Sequence, residues 1–167
     1  LQDRENFDGK QAFSSAEMSL NEVKCLLGDN ADLLFYKPTG NNLFTCIISK
    51  VTHSCSSHSL NGNDTETHVN TIYRAASNPP IKNQNFPDAS AEYIYKLLLG
   101  NYAPNKDRLL LIKPAAGDLK LPYRALRSDE WKTGEYLGLK TNVSFLSSLF
   151  STAPTLRSST KLKEYLG

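Results

Sequence analysis

All three histidines of the 167-residue chain, His53, His58 and His68, fall within one 16-residue window that also holds Cys55, Asp64 and Glu66. Imidazole and thiolate are ligands that zinc prefers, and the run His53-x-Cys55-x-x-His58 followed by His68 offers four of them. A metal closing that stretch would also keep so polar a segment ordered. Zinc modules, however, usually pair their ligands on tight knuckles, and Gly62 is the one glycine here to shape a knuckle. The expectation is therefore no cofactor, with zinc on His53, Cys55, His58 and His68 as the subordinate alternative.

The same imidazoles have the right chemistry to shuttle protons in a metal-free hydrolase, nuclease or toxin-like, if a cation stood by the phosphate. Arg74, Lys82, Arg108, Arg124 and Arg127 supply cations, and Tyr73 and Tyr123 supply rings for stacking. Nothing in the spacing brings one of these beside a histidine. Of the thiols, Cys25 and Cys46 sit among apolar neighbours and read as small buried hydrophobes, which leaves Cys55 as the exposed one. The chain contains no GxxxxGK[ST], GxGxxG or G-x-S-x-G, which argues against nucleotide-dependent enzymes, dinucleotide oxidoreductases and α/β-hydrolases.

A different chemistry belongs to the segment 113–140. Lys120, Arg124 and Arg127 alternate there with Tyr123, Trp131 and Tyr136, a mixture of cations and rings suited to a contact surface. The same residues could follow a nucleic-acid backbone, although Asp118, Asp129, Glu130 and Glu135 dilute the positive charge. They could also pin the long segment to the core. The function expected is a non-enzymatic recognition or assembly domain binding another macromolecule, protein ahead of nucleic acid, with the histidine-loop hydrolase as the alternative.

Composition narrows the setting. A net charge of +2, from 19 basic and 17 acidic residues, neither demands a polyanionic partner nor excludes one. The longest apolar run, Leu109–Ile112, is far too short to cross a bilayer, so no membrane insertion is expected. Three cysteines cannot all pair within one chain, and reduced thiols in an intracellular protein, cytoplasmic or nuclear, are the simpler expectation. The polar start carries no secretory signal, but a first residue other than Met and two glycosylation triplets, at Asn63 and Asn142, leave a secreted origin open.

These residues must be positioned by an α+β domain: a small, mainly antiparallel sheet of about four to five strands with two to four helices packed on it. The chain reads as one domain, 1–167, with an arm at 1–13 and a short terminal helix in 155–167. Ser14 and Glu17 have capping-box spacing ahead of a helix over 15–27. Leu33–Tyr36 and Leu43–Val51 flank a Gly/Asn turn as a hairpin, a pattern that resembles several small β-rich recognition domains without carrying functional residues. Residues 52–68 show no period and read as a long loop, followed by a strand over Val69–Ala75 and another irregular loop at 78–87. Asp88 is placed to N-cap a second helix whose face carries Ala91, Ile94, Tyr95 and Leu98 and which Gly100 closes, and Arg108–Lys113 forms an apolar strand. Phe145, Leu146, Leu149 and Phe150 have helical spacing.

Overall fold

The computed structural model describes residues 19–78, 85–114 and 121–146. The capping pair Ser14 and Glu17, Lys120, the arm 1–13 and the terminal helix at 155–167 lie outside the described residues.

The first described helix, α1 (Leu20–Leu27), starts at a capping box built from Ser19 and Glu22: the Glu22 N–H donates to Ser19 Oγ, and the Ser19 N–H donates to Glu22 Oε2 at 2.7 Å. Val23 and Leu27 form its buried stripe. Strands β1 (Ala31–Thr39) and β2 (Asn42–Ile48) then make the expected hairpin. Thr39 pairs with Asn42, so two residues make the turn, and Gly40 takes a positive φ of 59° that suits so tight a connection.

The next stretch departs from expectation. Residues His53–Ser59 are not loop but a third strand, β3, antiparallel to β2. Residues Gly62–Ser77 then form one helix, α2, so Val69–Ala75 is helical and not a strand. The inward positions of α2, Thr65, His68, Val69, Ile72 and Ala75, recur at three and four, which is the helical period. Ile72 alone among them is fully buried, so the pattern is faint in composition and plain in spacing.

Helix α3 (Asp88–Leu98) forms as expected, burying Ala91, Ile94, Tyr95 and Leu98. Strand β4 (Leu109–Lys113) is the apolar strand foreseen at 108–113. A short 3₁₀ turn (Tyr123–Ala125), helix α4 (Leu137–Lys140) and strand β5 (Asn142–Phe145) complete the described chain. Phe145 thus ends a strand instead of opening a helix, because alternation, with Val143 in and Ser144 out, sets its face. At Gly138 the chain passes so near the 3₁₀ turn that an added Cβ would stand 2.9 Å from Arg124 Cβ.

The five strands lie in the order β3-β2-β1-β4-β5. Two antiparallel pairs of seven residues each, β1/β2 and β2/β3, outweigh the parallel pairs β1/β4 and β4/β5, which have five and four. Alternate β1 residues serve different faces. Leu34 and Tyr36 join Leu110, Ile112, Ile72, Ile94 and Leu98 under α2, α3 and the 3₁₀ turn. Ala31 and Leu33 join Cys46, Ile48, Leu111 and Leu146 under α1. With both faces covered, β1 and β4 read as continuous apolar runs, and each fully buried Leu or Ile there contributes about 1.5–3 kcal/mol.

Candidate recognition surface at the sheet edge

The three histidines do not converge. In the β2/β3 register His53 lies opposite Ile48, on the α1 side of the sheet, while His58 lies opposite Leu43, on the α2/α3 side. Lys24 Nζ donates to His53 Nδ1 at 3.2 Å. An ammonium can only donate, so that imidazole carries its proton on Nε2. His68 belongs to α2, where it shares a hydrogen bond of 2.9 Å with Ser90 Oγ and stacks on Tyr93.

Cys55 is not a free thiol. It is joined to Cys46, its register partner, by a disulfide, and this corrects the expectation of three reduced cysteines. Cys25, placed among buried hydrophobes by its sequence, is the free and exposed one. Among the described residues no three His, Cys, Asp or Glu side chains gather where they could hold a metal.

One contact on β3 has catalytic form. Ser56 Oγ bonds His58 Nε2 at 2.9 Å and Thr45 Oγ1 at 2.8 Å. A hydroxyl on an imidazole is how a nucleophile meets its base, but the base needs a third group to orient it. Among the described residues no carboxylate bonds His58, and Ser56 is exposed.

The cations and rings of 113–140 are mostly occupied with holding the fold. Tyr123 is 1% exposed, and its hydroxyl bonds that of Tyr36. Arg127, 4% exposed, donates to Asp88 Oδ2 and to the Trp131 carbonyl, both at 2.8 Å, and lies 3.3 Å from Glu92. The Tyr136 hydroxyl donates to the other Asp88 oxygen. Trp131 sets its edge against Tyr95, and Lys140 lies 5.6 Å above its ring. Arg124 is exposed and donates to the Val143 carbonyl. Of the residues expected to make contacts, then, Arg124 and parts of Trp131 and Tyr136 reach the surface, while Tyr123 and Arg127 are buried pins of the segment.

Charge is concentrated in a different place. Asp32, on β1, is nearly buried and accepts from Ser49 Oγ at 2.6 Å, from the Tyr102 hydroxyl at 2.9 Å and from Arg108 through two nitrogens. Burial opposes ionisation of this carboxyl, yet the bonds from Arg108, Ser49 and Tyr102 together hold it below the usual carboxylate range. Burial first, and then the negative charge of Asp32, push the Tyr102 hydroxyl above the ordinary tyrosine value. Burial does the same to Tyr95, which donates to the Tyr102 carbonyl. Every partner in this network is satisfied, so it fastens β1, β4 and the chain after α3 without leaving a reactive group. The raised tyrosines contribute stability that is complete below about pH 10, where unfolded tyrosine ionises, and that is lost as pH rises beyond it. The stability advantage over a Tyr102→Phe variant, read from urea unfolding midpoints, is therefore expected to shrink between about pH 9 and 11. A constant difference would remove this assignment.

What the polar window does build is an edge. Strand β3 is the outermost strand and keeps seven unbroken register pairs with β2, from Ile48↔His53 to Asn42↔Ser59. The direction of its backbone groups follows from three observations. Leu60 donates its N–H to the Asn41 carbonyl and Ser49 donates to the Thr52 carbonyl, so positions 52 and 60 turn toward β2. The Cα atoms of Cys46 and Cys55 stand 4.1 Å apart, the short spacing of a pair that exchanges no ladder bonds. Alternation therefore sends the N–H and C=O groups of His53, Cys55, Ser57 and Ser59 away from β2. Among the described residues no strand pairs with them.

Beside this edge runs a groove of about 560 Å³. Ser54, Ser56 and His58 of β3 and Thr45 and Ile47 of β2 make one wall, and Lys96, Leu98, Leu99 and the loop Gly100–Ala103 make the other. No protein-family model matches the chain, and no curated protein is detectably similar to it. No helix among the described residues is long and apolar enough to cross a membrane.

Proposed function

We propose that this domain is a non-enzymatic recognition module that binds another protein by accepting an extended segment along the outer side of β3. The observation that carries the proposal is the row of outward backbone groups at His53, Cys55, Ser57 and Ser59, lying beside a groove. Strand addition draws affinity from main-chain bonds and specificity from pockets for alternate side chains, and the groove supplies room for the latter. Proteins that do not use an edge usually blunt it with Lys, Pro, a bulge or brevity. β3, of sequence HSCSSHS, has seven residues and none of these devices. The disulfide between Cys46 and Cys55 holds the strand in register at its centre. It also favours an oxidising compartment over the intracellular setting expected from composition. A backbone-reading edge suits a protein partner better than a nucleic acid, and it calls for no metal and no reactive group.

The test is selection of a displayed library of random nine-residue peptides on the protein, followed by substitution of Ser57 with Pro. Ser57 turns its N–H outward, so proline there removes a donor to the partner and none from the β2 ladder. Ser57→Pro is expected to weaken the selected peptides at least tenfold while the urea midpoint stays near that of the parent. Peptides that bind the variant equally well, or a library that yields no binder, would defeat the proposal.

A further inference from the structure

We infer that the segment accepted at β3 is acidic, with carboxylate side chains at the positions that face the groove; this rests on the strand-addition reading above. Among the described residues Lys96 is the cation lining the groove, the imidazoles of His53 and His58 border it, and no Asp or Glu lines it. The carboxylates of the neighbourhood are sorted elsewhere. Glu92, Asp129 and Glu130 line a separate cleft on the other side of the Gly100–Ala103 loop. Asp32 lies behind the groove, bonded to Ser49, but its charge is matched by Arg108. Asp29, nearby in sequence, is paired with Lys50.

An added strand places every second side chain over the face that carries Ser54, Ser56 and His58. There a carboxylate meets two hydroxyls, an imidazole and the Lys96 ammonium, a set of donors able to hold an anion by charge-assisted bonds. On the opposite face Lys24, against His53, adds a further cation. A basic segment would set its cations against the Lys96 ammonium, with no carboxylate among the described lining residues to offset the repulsion, which gives the edge a means of rejecting partners as well as attracting them.

The experiment compares three fluorescent peptides of alternating sequence, (Thr-Glu)₄, (Thr-Gln)₄ and (Thr-Lys)₄, by anisotropy with the whole chain and its Ser57→Pro variant. The Glu peptide is expected to bind about tenfold more tightly than the Gln peptide at low salt, to lose most of that margin near 0.5 M salt, and to outbind the Lys peptide by more. Lys96→Gln is expected to weaken the Glu peptide about threefold and to leave the Gln peptide unchanged. If the Glu and Gln peptides bind alike and both fail on Ser57→Pro, the acidic preference is overturned and strand addition stands. If none binds, or all bind Ser57→Pro equally well, strand addition itself is overturned. An oligothymidylate that displaces the Glu peptide would make the partner a nucleic acid, and light scattering that shows a dimer blocking the peptide would make it a second copy; either result overturns the inference.

Discussion

Replacing Arg108 with Met is expected to lower the free energy of unfolding by about 3 kcal/mol at neutral pH. The reason is asymmetry within the pair. Arg108 is 22% exposed in its side chain and Asp32 only 5%. Remove the guanidinium and Asp32 keeps two hydroxyl donors, from Ser49 and Tyr102, but loses its counter-charge in a place water barely reaches. An unpaired buried charge of this kind is costly. Arg108 also donates to the Ala31 and Asp29 carbonyls, so the same change unfastens the start of β1 from the start of β4.

The pH dependence gives the prediction its sign. In the parent the carboxyl of Asp32 is held below its ordinary range, so its contribution to stability is present above the unfolded value near 4 and is lost as pH falls through the folded one. In Arg108→Met the lowering influence of the guanidinium is gone, so the carboxyl rises relative to the parent, and protonation then relieves the charge. The difference between the two proteins should therefore be widest near neutrality and narrow toward about pH 4. Urea unfolding across that range measures it, and Asp32→Asn in the Arg108→Met background should recover part of the loss at pH 7. A difference that does not vary with pH would show that Arg108 acts through its carbonyl bonds and not through Asp32.

The sequence made the buried strands plain and the edge strand nearly invisible, for one physical reason. Hydrophobic period is a record of burial. β1 and β4 have both faces covered and announce themselves as Leu33–Tyr36 and Leu109–Ile112. Among the described residues β3 is paired on one side only, and its side chains at His53, Ser54, Ser56, Ser57 and Ser59 are exposed, so it writes no apolar alternation. Serine and histidine around a single cysteine read as loop, and Val69–Ala75, inside α2, reads as a strand because the polar first turns of that helix hide its period. The signal that could have found β3 is Cys55: pairing it with Cys46 places two strands side by side before any periodicity is consulted. At the segment 113–140 the residue types fit surface work and core pinning alike, since a ring or guanidinium suits an interior pin as well as an interface. Tyr123 and Arg127 are pins, and only the positions of Asp88, Glu92 and Tyr36, distant in sequence, decide it. Lone residue chemistry cannot reveal such long-range partners.

Loss of the Cys46–Cys55 bond is the second large effect expected, about 2–3 kcal/mol from the entropy of the short loop it closes. The cysteines are nine positions apart, and the connection between β2 and β3 already brings them together, so the estimate sits at the lower end for disulfides. The consequence should be local. β3 meets the sheet along one side only, and its side chains are mostly exposed, so little besides its ladder with β2 and this bond holds it. β1 and β4 lie at the centre of the sheet with both faces packed. In a Cys46→Ala/Cys55→Ala variant, amides of Ser54, Ser56 and His58 should exchange much faster while those of Leu33, Leu34, Leu110 and Leu111 lose the least protection. Thiol titration under non-reducing conditions should find one reactive group in the native parent, Cys25, and three after reduction and unfolding. Peptide binding should fall together with β3 protection, because an edge that frays presents no fixed row of donors and acceptors to a partner. Fast exchange spread evenly over all five strands would show instead that the bond holds the whole fold, and binding that survives the loss of β3 protection would move the recognition surface away from this edge.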